Sequence, residues 1–321
     1  MSDFYHRPVL LGESVHWLVS ESGIYIDATL GGAGHSHEIL RQLEAQDRLH
    51  GSLLVGIDKD TNAIQAASKR LETYADHVQI LKGRFADLAS LLNMHGLLAQ
   101  GQPAIRGVLL DLGISSHQID APERGFSFQQ SGPLDMRMSD AARLTAAEVV
   151  NEYDERLLSK IFFDYGEERD ARWIARKIVE ARKQSPIETT TALAELIRRH
   201  LSRKKPVEQT KTLARIFQAI RIEVNGELDE LSEVLDTAHQ LLGVGGRLVV
   251  ISYHSLEDRT VKRFFNECAK EDWGPKGVVL DTPLKTATMK ILTKKPVLAS
   301  PEEIQENPRS RSAKLRVAEK L

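Results

Sequence analysis

A glycine-rich turn within Tyr25–His35 (YIDATLGGAGH) constrains the fold of this chain more than any other stretch. The apolar, β-branched run before Asp27 predicts a short buried strand. Gly31, Gly32 and Gly34 predict a tight turn, and the residues after them predict a helix. A strand, a glycine turn and a helix N-terminus bring backbone N–H groups and a positive dipole end toward a ligand. The alternative is a glycine-rich connection that binds nothing.

Strands and helices alternate through the first third of the chain, and acidic residues end three of the predicted strands. The apolar runs at 24–26, 53–57, 78–81 and 107–110 lack a polar face, which is typical of parallel strands covered by helices on both sides. Ligands in such folds lie beyond the carboxyl ends of the strands, so we expect one edge of the sheet to gather Asp27, Asp58 and Asp111. The sequence therefore predicts an α/β fold with a ligand site at that edge.

The alternation stops after the fourth strand. An irregular stretch at 115–138 precedes a helical pattern from 145 to about 201, and a longer helix follows at 211–224. A fifth strand at 247–252 restores the sheet pattern, and short apolar runs at 289–292 and 314–318 are two further strand candidates. We therefore expect a discontinuous sheet domain, residues 1–120 and 215–321, and an inserted helical domain, residues 121–214.

The net charge, the cysteine content and the lengths of the apolar runs limit which cellular compartments and which classes of ligand fit this chain. The formal net charge is −2, so a nucleic-acid site has to be a local patch. Cys268 is the single cysteine, which excludes an intramolecular disulfide and fits a reducing, cytoplasmic setting. No apolar run approaches the length of a membrane span, and the opening residues MSDFYHRPVL lack the pattern of a signal peptide, so we expect no membrane association.

Two nucleotide ligands commonly use this architecture. A dinucleotide site requires Gly-x-Gly-x-x-Gly, and the third position here is His37. S-adenosylmethionine has no phosphate and requires a glycine turn with an acid after the second strand, a position that Asp58 fills. Phe85 follows the third strand, where its ring is placed to pack on adenine. The alternatives are a helix N-cap for Asp58 and core packing for Phe85.

Seven segments spread over nearly the whole chain match one family. They are HRPVLL at 6–11, YIDATLGGAGHS at 25–36, LLDLGISSHQID at 109–120, ERGFSFQQSGPLDMRM at 123–138, RIFQAIRIEVNGEL at 215–228, ISYHSLEDRTVKRFF at 251–265 and NPRSRSAKLRVAEK at 307–320. With these motifs the chain resembles the bacterial ribosomal RNA small subunit methyltransferase H family, also called MraW-type. Several of the segments are long and unusual, which makes the resemblance specific.

The resemblance implies a class I S-adenosylmethionine-dependent methyltransferase domain, Rossmann-like, with an inserted all-helical domain. It also implies methylation of N4 of a cytosine in 16S ribosomal RNA, in the decoding region of the small ribosomal subunit. Many relatives have a second glycine where Ala33 stands, and we expect the backbone N–H there to remain available. The family's cofactor positions fall on Ala33, Gly34, His35, Asp58, Phe85, Asp111 and Gln118.

Methylation of an exocyclic amine suggests roles for the residues after the fourth and fifth strands. The lone pair of cytosine N4 is delocalised into the ring, so an enzyme has to hold the amine by its protons and place the base against a face. Asp111 lies where related amino-methyltransferases keep an acceptor motif, although no proline pair follows it here. Tyr253 is a candidate for stacking on the base, and His254 for holding it or relaying a proton. The alternatives are a loop-capping acid, a core tyrosine and a loop histidine, and no cysteine or further histidine completes a metal site.

Two basic segments are candidates for contact with RNA phosphates, although a solvated face is the alternative for each. The first lies around the end of the predicted insert and the second near the end of the sequence. Two other functions are open: a non-catalytic RNA-binding assembly factor, disfavoured by the presence of both Asp58 and Asp111, and a nicotinamide-dependent oxidoreductase, disfavoured by His37. The sequence does not distinguish a monomer from a homodimer. The basic residues are Arg198, Arg199, Arg203, Lys204, Lys205 and Lys211, and Arg309, Arg311, Lys314 and Arg316.

Overall fold

The computed structural model describes residues 8–114, 119, 121–139, 142–274 and 281–321. The chain divides into two compact units, one of Met1–Gly113 with Leu228–Leu321 and one of Ile114–Glu227. The second boundary expected from the sequence, at 214/215, lies thirteen residues before the observed division. The difference arises because the helix Pro206–Asn225 packs its buried side chains into the core of the second unit.

A seven-stranded sheet forms the centre of the first unit. The strand order is β3-β2-β1-β4-β5-β7-β6; β7 runs antiparallel to both β5 and β6, and the other neighbouring strands are parallel. The five parallel strands expected from the sequence and both later candidates are present, so the predicted α/β, Rossmann-like fold class is confirmed. The strands are β1 (Ile24–Asp27), β2 (Leu53–Asp58), β3 (Val78–Lys82), β4 (Ile105–Asp111), β5 (Leu242–Ser252), β6 (Met289–Ile291) and β7 (Lys314–Lys320).

Helices cover both faces of this sheet, because its central strands β1, β2 and β4 carry buried apolar side chains on both faces. In β1, Ile24 and Ile26 point into one core and Tyr25 into the other, because successive side chains of a strand alternate between faces. The first core also receives α4 (Leu88–Met94), α10 (Glu227–Leu241) and α11 (Ser255–Cys268), and the second receives α1 (Leu11–Leu18), α2 (Gly34–Ala45) and α3 (Thr61–Arg70). A short helix, α12 (Pro301–Glu306), precedes β7.

The second unit is helical and has its own apolar core. Its helices start at polar caps: Thr145 forms a capping box with Glu148, and the Asp154 side chain accepts the Leu157 N–H at 2.7 Å. The helices are α5 (Ala146–Glu152), α6 (Glu155–Asp164), α7 (Ala171–Arg182), α8 (Thr190–His200) and α9 (Pro206–Asn225). Among the helices of the described residues in either unit, none combines the length and apolar character of a membrane span.

Asn225 connects the last turn of α9 to the irregular segment before α5. Its Oδ1 accepts the Met138 N–H at 2.8 Å, and its Nδ2 donates to the carbonyls of Met136 and Arg221 at 2.9 Å each. Gly226 then ends the helix at φ +62°, a left-handed conformation that glycine adopts without steric cost. The longer helix predicted at 211–224 is therefore present, and its observed end lies one residue later, at Asn225.

Candidate functional site in the sheet unit

The glycine turn joins β1 to α2 at the carboxyl edge of the sheet. Gly31 has φ +49° and Ala33 has φ +58°, so both turn residues are left-handed. The Ala33 N–H, which we expected to remain available, donates to the Leu30 carbonyl at 2.8 Å. The backbone donors left at the turn belong to the first residues of α2, because the first N–H groups of a helix have no intrahelical acceptor. Gly34 is required there, since a Cβ would lie 2.1 Å from Pro8 Cγ.

Asp58 ends β2 and faces the turn. Its Oδ2 accepts the Gly31 N–H at 2.8 Å and its Oδ1 accepts the Asp60 N–H at 2.8 Å. Burial raises the pKa of Asp58, and the Asp60 and Gly31 N–H donors oppose that effect. The helix-cap alternative is wrong, because the side chain that caps α3 is Asp60, which accepts the Asn62 N–H at 2.9 Å. Each Asp58 oxygen retains acceptor capacity for a hydroxyl group.

Asp27 lies beneath the turn and not at its surface. Only 1% of the residue is exposed. Ser36 Oγ donates to its Oδ2 at 2.7 Å, and the Thr29 N–H donates to its Oδ1 at 3.2 Å. Burial raises the pKa of Asp27. Asp27 therefore lies at the predicted edge of the sheet. Its hydrogen bond with Ser36 connects α2 to β1, and its buried carboxylate is not accessible to a ligand.

His35 occupies the first turn of α2 with a buried ring. Its Nε2 lies 3.1 Å from the Val9 carbonyl, and its Nδ1 lies 3.7 Å from Asp111 Oδ2. A carbonyl oxygen only accepts, so the Val9 contact places the proton on Nε2. Burial lowers the pKa of His35, which favours the neutral ring at neutral pH. His35 thus directs an imidazole nitrogen toward the acid at the end of β4.

Asp111 and Tyr253 are brought together at the ends of β4 and β5. The Asp111 N–H donates to Thr29 Oγ1 at 2.7 Å, and the Tyr253 hydroxyl donates to Asp111 Oδ1 at 2.8 Å. Burial and the Asp111 charge raise the pKa of Tyr253 well above its ordinary value, so the phenol keeps the proton it donates. The ring of Tyr253 lies next to Gly113, where a Cβ would be 3.4 Å from Cδ2. This geometry makes Tyr253 a residue that orients the Asp111 carboxylate.

Both ring nitrogens of His254 contact Glu257 at the start of α11. Its Nδ1 accepts the Glu257 N–H at 3.4 Å, and Glu257 Oε2 accepts the His254 N–H at 3.3 Å, which is a capping box. Its Nε2 lies 3.1 Å from Glu257 Oε1. Glu257 also accepts the Tyr253 N–H at 2.8 Å. The contacts therefore favour the loop-histidine alternative and give His254 a structural task.

Phe85 opens a 3₁₀ turn, Phe85–Asp87, directly after β3. It is half-buried against the sheet core, so it satisfies the packing alternative while part of its ring stays exposed. Gln118 lies outside the described residues. Thr29 and Glu257 were missed by the sequence analysis, although Thr29 stands inside the YIDATLGG motif, two residues after Asp27.

Comparison with known proteins identifies the family. The model of the MraW methylase family matches residues 3–321. A "Ribosomal RNA small subunit methyltransferase H" from Chloroherpeton thalassium is 79% identical over 321 residues, which is 100% of both chains. The protein of that name from Chlorobium chlorochromatii is 53% identical over 324 residues, with 100% of this chain and 98% of that one covered. A solved rRNA methylase from Streptococcus thermophilus has a TM-score of 0.38 and 12% identity, covering 97% of this chain and 93% of that one.

The match over the full length confirms the resemblance read from the seven sequence segments. It also confirms the class I methyltransferase fold and the predicted cofactor, S-adenosylmethionine. The chain belongs to the MraW methylase family.

Proposed function

We propose that this chain transfers the methyl group of S-adenosylmethionine to N4 of a cytosine in 16S ribosomal RNA, in the decoding region of the small ribosomal subunit. Support for the RNA substrate comes from relatives named ribosomal RNA small subunit methyltransferase H at 79% and 53% identity. The observation that carries the chemistry is the Asp111 carboxylate, which is oriented by Tyr253 at 2.8 Å and lies beside the glycine turn.

The residues around the turn fit the cofactor. Asp58 would hold the ribose, because each of its oxygens accepts one backbone N–H and retains a lone pair for a hydroxyl. The first N–H groups of α2, which have no intrahelical acceptor, would donate to the ligand at the turn. The exposed part of the Phe85 ring would pack on the adenine. When bound, the cofactor supplies a methyl group on a positively charged sulfur.

Asp111 supports the reaction by acting on the amine. A carboxylate that accepts an N4 hydrogen holds the amino group in position and favours the positive charge that develops on N4 as the new C–N bond forms. The Tyr253 hydrogen bond fixes one carboxylate oxygen, and the Thr29 hydroxyl fixes the backbone of Asp111. The acceptor is thus held in place before the substrate arrives, so little reorganisation accompanies the reaction.

The experiment is methyl transfer from labelled S-adenosylmethionine to small subunits that lack the modification, with free 16S ribosomal RNA in parallel. We expect labelled N4-methylcytidine after digestion to nucleosides, and its loss with Asp111→Asn. Label in subunits alone identifies the folded particle as the substrate, and label in both shows that the local RNA suffices. Cofactor binding without any transfer would contradict the proposal and favour the assembly-factor function. Membership of a methylase family removes the nicotinamide alternative.

A further inference from the structure

A cavity of about 160 Å³ opens in the sheet unit between α11 and the strands β6 and β7. Two apolar side chains form part of its wall, and the remaining lining residues are Lys262, Asn266, Thr293, Lys294 and Arg316. None of the described residues that line it is acidic. The cavity is thus polar, cationic and large enough for a group of a few heavy atoms.

The charge around this cavity is unbalanced. Arg316 is 7% exposed and donates through Nε to Asp258 Oδ1 at 2.6 Å, and Lys314 donates to Asp258 Oδ2 at 3.2 Å. The single carboxylate of Asp258 is therefore shared by two cations. Lys262 and Lys294 are exposed, and neither has an acidic partner among the described residues. Together these four cations and one carboxylate carry a net charge of about +3, which leaves capacity for an anion.

The cavity also offers hydrogen-bond donors. Thr293 Oγ1 accepts the Val317 N–H at 2.8 Å, so its own hydroxyl proton is left to donate. The Arg316 guanidinium uses its Nε for Asp258 and has four further N–H groups. Together with the ammonium groups of Lys262 and Lys294, these donors suit the oxygens of a phosphate.

Part of the cavity wall lies toward the same edge of the sheet as Asp111. Lys314, the first residue of β7, pairs with Ser252, the last residue of β5. Because β6 runs antiparallel to β7, the residues just after β6, Thr293 and Lys294, also lie toward that edge. Three strand spacings separate β4 from β6 in the sheet order, which is roughly 15 Å. A chain bound at Asp111 therefore reaches the cavity within a few nucleotides.

We propose that this cavity binds a backbone phosphate of the RNA substrate, a few nucleotides from the target base. The inference rests on the proposed function insofar as the ligand is RNA. It assigns the contact to Lys262 and Lys294, with Arg316 as the fixed donor at the bottom. Such a contact positions the strand without reading its sequence.

The test uses the full chain and a Lys262→Ala/Lys294→Ala variant. The control is Lys69→Ala/Lys270→Ala, which removes the same charge from exposed lysines at and beyond the last turns of α3 and α11, at the opposite edge of the sheet. Affinity for free 16S ribosomal RNA is measured against salt concentration with S-adenosylhomocysteine present, so that no turnover occurs. The cavity variant should lower the slope of log K against log salt by about 0.7, because each phosphate contact to a single strand contributes about 0.7 and the cavity binds one phosphate.

We also expect the cavity variant to raise KM for RNA at least about tenfold while kcat at saturating RNA stays within about twofold. The control should match the wild type in both. Equal slopes in all three proteins would overturn the proposal. This holds even if inorganic phosphate binds the wild type, as long as that phosphate does not compete with RNA. A lowered slope in a protein that makes no N4-methylcytidine would refute the proposed function and leave the phosphate contact standing.

Discussion

Replacing Tyr253 by phenylalanine removes one hydrogen bond and keeps the ring. The lost bond is the 2.8 Å contact from the phenol to Asp111 Oδ1, and the ring retains its place beside Gly113. A hydrogen bond to a charged group is worth about 1.5–3 kcal/mol, which corresponds to a factor of about 10 to 150 in rate if all of it acts in the transition state. We therefore expect kcat to fall by about 10- to 150-fold.

The assay separates positioning from binding. Asp58 and the glycine turn are unchanged in this variant, so the affinity for S-adenosylmethionine should stay within about twofold, measured by calorimetry. The acid limb of the rate profile should move to higher pH, because a hydrogen bond donated to a carboxylate favours its charged form. A merely structural role for Tyr253 would lower kcat without moving that limb.

Tyr74→Phe is the matched control. Its hydroxyl donates to Glu44 Oε2 at the same distance, 2.8 Å, and Glu44 lies in the last turn of α2, at the other end of that helix from the glycine turn. This variant should leave kcat and the pH profile unchanged. If Tyr253→Phe behaved like Tyr74→Phe, the Asp111 carboxylate would not depend on Tyr253 and the positioning argument would fail.

Three further outcomes are expected. Asp58→Asn should weaken S-adenosylmethionine binding by about 10- to 100-fold in calorimetry, because one charged acceptor is lost; an unchanged affinity would contradict its ribose role. Asn225→Ala should lower the free energy of unfolding by about 3 kcal/mol in urea, since three hydrogen bonds are lost; a change under 0.5 kcal/mol, roughly the size of an ordinary surface substitution, would refute this. Burial acts to raise the pKa of Asp258, but Arg316 and Lys314 hold this pKa below its ordinary value. The stabilising effect of the charged Asp258 carboxylate is therefore present above about pH 4 and is lost as pH falls through the folded pKa. Asp258→Asn should therefore be less stable than wild type at pH 7 and converge with it in acid; a constant difference would show that Asp258 acts through packing.

Much of the fold is encoded in local pattern. The strands β1, β2 and β4 consist mostly of apolar residues, and the acids that end them mark the ligand edge without any knowledge of packing. The unit boundary was not accessible in this way. The apolar face of α9, with Leu213 and Ile216, fits a core on either side, and only the packing assigns it to the helical unit.

The site was predictable where it depends on one short segment and not where it depends on side-chain direction. Asp58 lies at a strand end, and its position beside the turn follows from the order of β1 and β2. The contact between Tyr253 and Asp111 joins residues 142 positions apart, and no periodicity reports where a phenol points. The capping role of His254 was not predicted from the sequence, because histidine is outside the usual group of N-cap residues.

The start of α11 connects the proposed catalytic acid to the proposed phosphate cavity. Glu257 accepts the N–H groups of Tyr253 and His254, which sets the direction from which the Tyr253 hydroxyl reaches Asp111. The next residue, Asp258, holds Arg316, and one helical turn later Lys262 lines the cavity. Because i and i+4 side chains share a face of a helix, Asp258 and Lys262 lie on the same face of α11. The capping box at His254 thus fixes the spacing between the acid that acts on the base and the cations that hold the strand.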